Sequence, residues 1–272
     1  MSPASLDEGL RAAFAKAEAR EPIHRAAAGF VPMESRVVFM AWVALLEELR
    51  ECVFELSDPR VTAVKSGWWA EELDGVARGA ARHPLTRVLV RSGGPWAGIG
   101  NALLAVASDD APSADLDGAI AALRPLAEAL VRVEAHLFGA APGIDAQARC
   151  HAVHWLRLRL ERGLEASDRG RVPLMLFARH GLRRDQLVGT EADALRRDWA
   201  MQLHDALPVA SPQGWAYPRL IGLHTDRRAL RCAVEGRGAS RGITTGFLEV
   251  WQAWRCARNA ALQVHPQATH TT

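Results

Sequence analysis

Apolar residues recur at helical spacing along almost the whole chain. Leu6, Leu10 and Phe14 stand four apart among alanines, the pattern of a first amphipathic helix with favourable propensity. Residues 37–56 carry Val38, Trp42, Leu45, Leu46 and Leu49, an apolar face wide enough for a central helix. Ser57, Asp58 and Pro59 read as the end of that helix, then an N-cap and a proline in the next first turn. The following helix sets Val64, Trp68, Trp69, Leu73, Val76 and Ala77 on one broad stripe expected to be buried, and it closes at Arg78 and Gly79. His83 and Pro84 open a short helix.

Gly93-Gly94-Pro95 and Gly98-Ile99-Gly100 punctuate a loop. They form no dinucleotide fingerprint, because no strand precedes them and the spacing is wrong. A second loop covers 109–113, with Asp115 placed to cap a helix that runs to Leu137, and Asp145 to cap the next one, which reaches about Glu165. Residues 174–180 form a short helix, and 190–207 a longer one capped by Thr190, with Glu191 and Asp193 in its first turn. Residues 211–214 break the chain. Helices over 226–234 and 245–264 close it, the latter with Trp251 and Trp254 on one face. There is no repeat, no heptad pattern and no alternation long enough for a sheet. The expected fold is all-α, one domain over 1–264 with a disordered tail at 265–272.

Composition narrows the field further. The 272 residues are 49% hydrophobic and 24% charged, enough apolar content for a large core and too much for disorder. A formal net charge of +2 gives no reason to expect nucleic acid or an anionic membrane as a partner. Lys16 and Lys65 are the only lysines, so the basic side is arginine, which a genomic base bias explains. Cys52, Cys150, Cys232 and Cys256 form no CxxC pair and no secretory leader opens the chain, so reduced thiols in the cytoplasm are expected. No apolar run approaches the ~20 residues that span a bilayer. The expected location is the cytoplasm, free or at the inner face of the membrane.

Two segments carry a family likeness. Gly67-Trp68-Trp69-Ala70-Glu71-Glu72-Leu73 is followed by His83-Pro84-Leu85-Thr86-Arg87, and Asp168-Arg169-Gly170-Arg171-Val172-Pro173-Leu174 comes later in the matching order. Together they resemble the landmarks of the squalene/phytoene synthases, which join two isoprenyl diphosphates head to head; the likeness covers about 37–207, with a weaker echo at Trp251-Gln252-Ala253-Trp254-Arg255. It implies an isoprenoid synthase bundle of helices around a central cavity, whose wall would include Trp68, Trp69, Trp155, Leu158, Arg162, Ala166 and Arg171. It also implies two aspartate-rich motifs that hold magnesium, because ionising an allylic diphosphate needs the metal to neutralise the departing pyrophosphate.

Those motifs are missing. The family's second aspartate pair falls on Arg162 and Ala166, and its neighbouring glutamine and asparagine fall on Trp155 and Leu158; Glu165 alone matches an acid. A guanidinium has no acceptor and cannot ligate a metal. The first motif reads Leu46-Glu47-Glu48-Leu49-Arg50-Glu51-Cys52, where Glu47 and Glu51 share a face either as ligands or as a solvated acidic edge. The chain is thus similar to the branch typified by a mitochondrial complex I assembly factor, which also lacks the aspartates. That likeness implies a non-catalytic relative acting in assembly or regulation, through a protein partner, or binding an isoprenyl diphosphate or other lipid-like ligand without a cofactor. The alternative is an active prenyltransferase with magnesium on Glu47, Glu51, Glu161 and Glu165. Arg162 in the cavity would pair with Glu161, Glu165 or Glu51, or else bind a phosphate. Cys150 and His154 stand one turn apart, read as a buried thiol and a polar imidazole on one helix. No GxSxG elbow is present.

Overall fold

Helices with apolar stripes must bury them against one another, and most of the described helices do so. The computed structural model describes residues 3–56, 58–109, 111–139, 143–161, 171–187, 189–209, 212–236 and 245–260. Among them are twelve helices and no strand: α1 (Pro3–Arg20), α2 (Ile23–Ala28), α3 (Arg36–Phe54), α4 (Pro59–Ala77), α5 (Pro84–Leu89), α6 (Ile99–Ser108), α7 (Leu116–Phe138), α8 (Ile144–Glu161), α9 (Leu174–His180), α10 (Asp193–Asp205), α11 (Tyr217–Val234) and α12 (Thr245–Asn259). The protein is all-α.

Helix α3 is the hub. Phe39, Trp42, Leu45 and Leu49 on it are fully buried, and it packs against α1, α2, α4, α5 and α6. The other half of the molecule is assembled on α8, which lies along α7 and α11, while α12 closes over α2 and α11. One continuous apolar core runs from Ala17 to Cys256. The expected caps form: Asp58 accepts from the Arg60 N–H at 2.8 Å, and Asp115 from that of Gly118 at 2.8 Å.

Several elements depart from the apolar pattern. Helix α4 is turned so that Val64 and Trp68 are 74% and 39% exposed while Thr62, Ser66, Trp69, Leu73 and Val76 face inward. Small size decides this face more than apolarity. Thr62 and Ser66 bond their hydroxyls to the carbonyls of Asp58 and Thr62, at 3.1 and 2.5 Å, so burying them leaves no orphan. Helix α6, hidden behind the glycine loop, then comes close: a Cβ on Gly100 would stand 2.8 Å from the Ala70 carbonyl oxygen. Asp145 lies inside the first turn of α8 and pairs with Arg124 at 2.9 Å instead of capping. Thr190 caps nothing, because a 3₁₀ turn over Thr190–Ala192 precedes α10. Helix α11 begins at Tyr217, not near Asp226; Tyr217 to Leu223 are buried on every side, so no polar face marks them. Helix α12 is described to Asn259, and the tail from His265 lies outside the described residues.

Gly100→Ala supplies the test of the α4–α6 approach. In an open helix the change would stabilise by up to ~1 kcal/mol. Against the Ala70 backbone it should cost about 1–3 kcal/mol, a fall of several degrees in melting temperature. A rise in melting temperature would mean that the two helices are not in contact there.

Candidate functional site

The centre of the bundle is charged. Glu21 follows the last turn of α1, His24 sits on α2, Glu47 and Arg50 on α3, His154 and Arg157 on α8, and Arg219 and Asp226 on α11. A charge removed from water needs a partner, and these supply one another. Arg157, almost wholly buried, reaches Glu21 at 2.7 Å, Asp226 at 2.6 Å and Glu161 at 2.5 Å. His154 bridges the same two acids, Asp226 at 2.9 Å and Glu21 at 3.2 Å. A second cluster adjoins it: Arg50 holds Glu47 and Glu55, each at 2.6 Å, and Arg20 binds Glu55 at 2.7 Å. A third is deeper, where Glu134 accepts from Arg219 at 2.8 Å and from the Trp42 indole at 3.1 Å.

The environment sets the protonation states. Burial alone would raise the Glu21 carboxyl, but His154, His24 and Arg157 outweigh it and hold it well below the usual range. Burial would lower His154, but Asp226 and Glu21 push it up to about 9, so it is imidazolium at neutral pH. Burial raises Glu47 and Glu161 despite their arginines. His151, one turn before Trp155, is driven well below its ordinary value by burial and by nearby Arg219 and His154.

Between these groups lies a cavity of about 30 Å³, bordered by Glu21, His24, Arg50, Trp155, Leu158 and Arg219 among others. One water needs ~10–15 Å³, so as the side chains stand it has room for about two, and a prenyl chain would enter only if Trp155 or Leu158 moved. Trp155 plugs it, packed edge-on against Phe54 with ring centroids 6.2 Å apart.

Of the residues expected at a cavity wall, Trp155 and Leu158 border this one. Trp69 is buried beside His83, while Trp68 lies at the surface between Trp69 and the Arg82 guanidinium. Arg171 is elsewhere in the core, donating to the carbonyls of Val106 at 2.9 Å and Asp109 at 3.3 Å, so that it caps the end of α6. Arg162, Glu165, Ala166 and Asp168 lie outside the described residues. Glu72, in the tryptophan landmark, accepts from the N–H groups of Arg82 and His83 at 2.7 and 2.8 Å and from the Thr86 hydroxyl at 2.5 Å. It thereby ties that landmark to the His-Pro landmark. His83 caps α5 by accepting from the Leu85 N–H at 3.2 Å. The Cys150 thiol is pushed up to about 12 by burial, and His154 turns away from it toward the carboxylates.

Three of the four candidate metal ligands are held by other cations, and the fourth, Glu165, lies outside the described residues. Glu51 is bound by Lys16 and Lys65, both at 2.6 Å, and held down at about 2 by them against the effect of burial. Glu47 belongs to Arg50 and Glu161 to Arg157. Each carboxylate already has its cation, the three point to different partners, and no metal-sized group of acids, histidines and cysteines forms among the described residues. Reading the chain alone missed Glu21, Arg50, Glu134, Arg157, Arg219 and Asp226. The available signal was a charged residue inside an apolar run, as with Arg219 between Trp215 and Leu223.

The all-α arrangement of helices matches an isoprenoid synthase fold, like that of the squalene/phytoene synthases, as a superposition shows. A dehydrosqualene synthase solved in complex with ligand superposes on 93% of this chain and 97% of its own, with a TM-score of 0.63 and 11% sequence identity. The HpnC squalene synthase of Alicyclobacillus acidocaldarius covers 95% of this chain and 98% of its own, with a TM-score of 0.49 and 18% identity. No protein-family model and no curated protein sequence matches the chain.

Two outcomes follow for the charged centre. Arg157→Ala should destabilise by about 3–5 kcal/mol by leaving Glu21 and Asp226 to share the one His154 cation, and combining Arg157→Met with Glu21→Gln and Asp226→Asn should recover most of it, as read by urea unfolding. The pH profile has a direction as well. His154 is raised from 6.5 unfolded to about 9 folded, so its contribution is full below 6.5 and is lost as pH climbs through 9. That loss is about 3 kcal/mol at most. Glu21 is depressed below 4.5, so its contribution fades as pH falls from 4.5. Stability should therefore peak between the two unfolded values, and His154→Gln should flatten the alkaline slope.

Proposed function

We propose that this protein is a non-catalytic relative of the squalene/phytoene synthases, of the kind typified by the complex I assembly factor. It would act through a protein partner in assembly or regulation, or by holding a lipid-like ligand. The observation that carries the reading is the engagement of Arg157 with Glu21, Asp226 and Glu161 at the centre of the bundle. Carboxylates occupied by a guanidinium are not free to grip a diphosphate through magnesium, and releasing them would strand a buried cation. Trp155 and Leu158 support the same reading by filling the space beside the cluster.

The test is calorimetric titration of farnesyl diphosphate into the protein, with magnesium and with a chelator, followed by product extraction. The expected heats are no larger with magnesium than with chelator, and no head-to-head product is recovered. Binding that requires magnesium, together with a condensation product, would overturn the proposal. Binding that survives the chelator would assign the ligand-holding form of it.

A further inference from the structure

Helix α12 is packed inside out. A helix on the surface of a globular protein turns its large apolar residues inward and its polar ones to water. Here the inward face is small, Ala253 and Cys256, both fully buried. The outward face carries Phe247, Leu248, Val250, Trp251 and Trp254, with Phe247 78% exposed and the two tryptophans 47% and 42%. Phe247, Trp251 and Trp254 follow one another at helical spacing, so they form a single stripe. It is the densest group of exposed large apolar side chains among the described residues. An apolar face of this kind marks a surface that is covered in use.

Charge indicates what covers it. Arg255 lies over the Trp251 ring at 4.7 Å and Arg258 over the Trp254 ring at 5.0 Å, so each cation rides beside an aromatic on the same exposed face. Neighbouring α11 adds Arg228 and Arg231, both exposed. Glu249 is the only acid on α12, and it is half-buried, raised by burial with Arg228 close enough to oppose the shift. Aromatic rings whose polar edges sit at headgroup depth, flanked by arginines whose stems run along them, suit an anionic bilayer surface. A protein partner would need a complementary acidic groove, whereas a lipid surface needs only the amphipathic face that is present. Among the described residues no helix is long and apolar enough to cross a membrane, and a contact of this kind is with the interface.

We infer that α12 is a membrane-docking helix, which sets Phe247, Trp251 and Trp254 into the headgroup region of an anionic leaflet while Arg255 and Arg258 pair with lipid phosphates. This is independent of whether the central cavity is catalytic.

Flotation of the full chain with vesicles decides it. The protein should float with vesicles of equal parts phosphatidylcholine and phosphatidylglycerol, and far less with phosphatidylcholine alone. Removing both arginines, Arg255→Ala with Arg258→Ala, should weaken partitioning roughly 30-fold, and high salt should reproduce that loss. Trp251→Ser with Trp254→Ser should abolish flotation with unchanged helicity and melting, because both side chains are exposed. Val64→Ser, a change at a more exposed apolar residue on α4, should leave it intact. Wild-type protein that stays at the bottom of the gradient would overturn the inference. So would equal flotation of the tryptophan variant, or a dimer in solution that the tryptophan variant dissociates, which would assign the face to a second copy.

Discussion

A guanidinium placed where water cannot follow is the constraint on which this structure turns. Arg157 on α8 can exist at the centre only if acids arrive from elsewhere in the chain, and they come from the end of α1 and from α11. The segments joined are far apart in sequence, so the ion pairs specify how the two halves of the bundle meet. Hydrophobic burial supplies the driving force but is indifferent to register. Charges that must find particular partners are not, which is the use of buried polar groups that fits this core. The adjoining clusters around Arg50 and Glu134 repeat the arrangement on α3 and α7.

A second constraint is geometric. Around α4 the buried surface is chosen by residues small enough to let α6 approach, with Gly100 lying against the Ala70 backbone. Tryptophan then fills what glycine leaves elsewhere: Trp155 takes the space beside the charged cluster, and Trp42 spans from α3 to the Glu134 carboxylate. The bundle is narrow where small residues meet and plugged where it would otherwise be open.

The helical nature of the chain was legible in its apolar spacing, and the caps at Asp58 and Asp115 in single residues. The rotation of α4 was not, because Val64 and Trp68 look like core residues in one dimension while Thr62 and Ser66 do not. The start of α11 was hidden for the opposite reason, since a segment buried all round shows no period. For the central site, Trp155 and Leu158 could be placed by their distance from a landmark. Arg157 could not: on a helix that mixes apolar and charged residues it reads as a surface charge until Glu21 and Asp226 are known as partners, and those lie in segments that share no local pattern with it. Glu47 and Glu51 illustrate the same limit. Their spacing suggested a joint site, whereas α1 and α4 bring Lys16, Lys65 and Arg20 to claim them separately.

Glu72 gives the two landmark segments a different meaning. Its carboxylate fastens the tryptophan segment of α4 to the residues that lead into α5, through backbone N–H groups that any residue would offer. Arg171 in the later landmark does similar work, closing the end of α6. Both are joints of the scaffold. Joints of this kind are needed for the helices to fold together whatever chemistry the centre performs, so these segments report how the scaffold is fastened and not what reaction it supports.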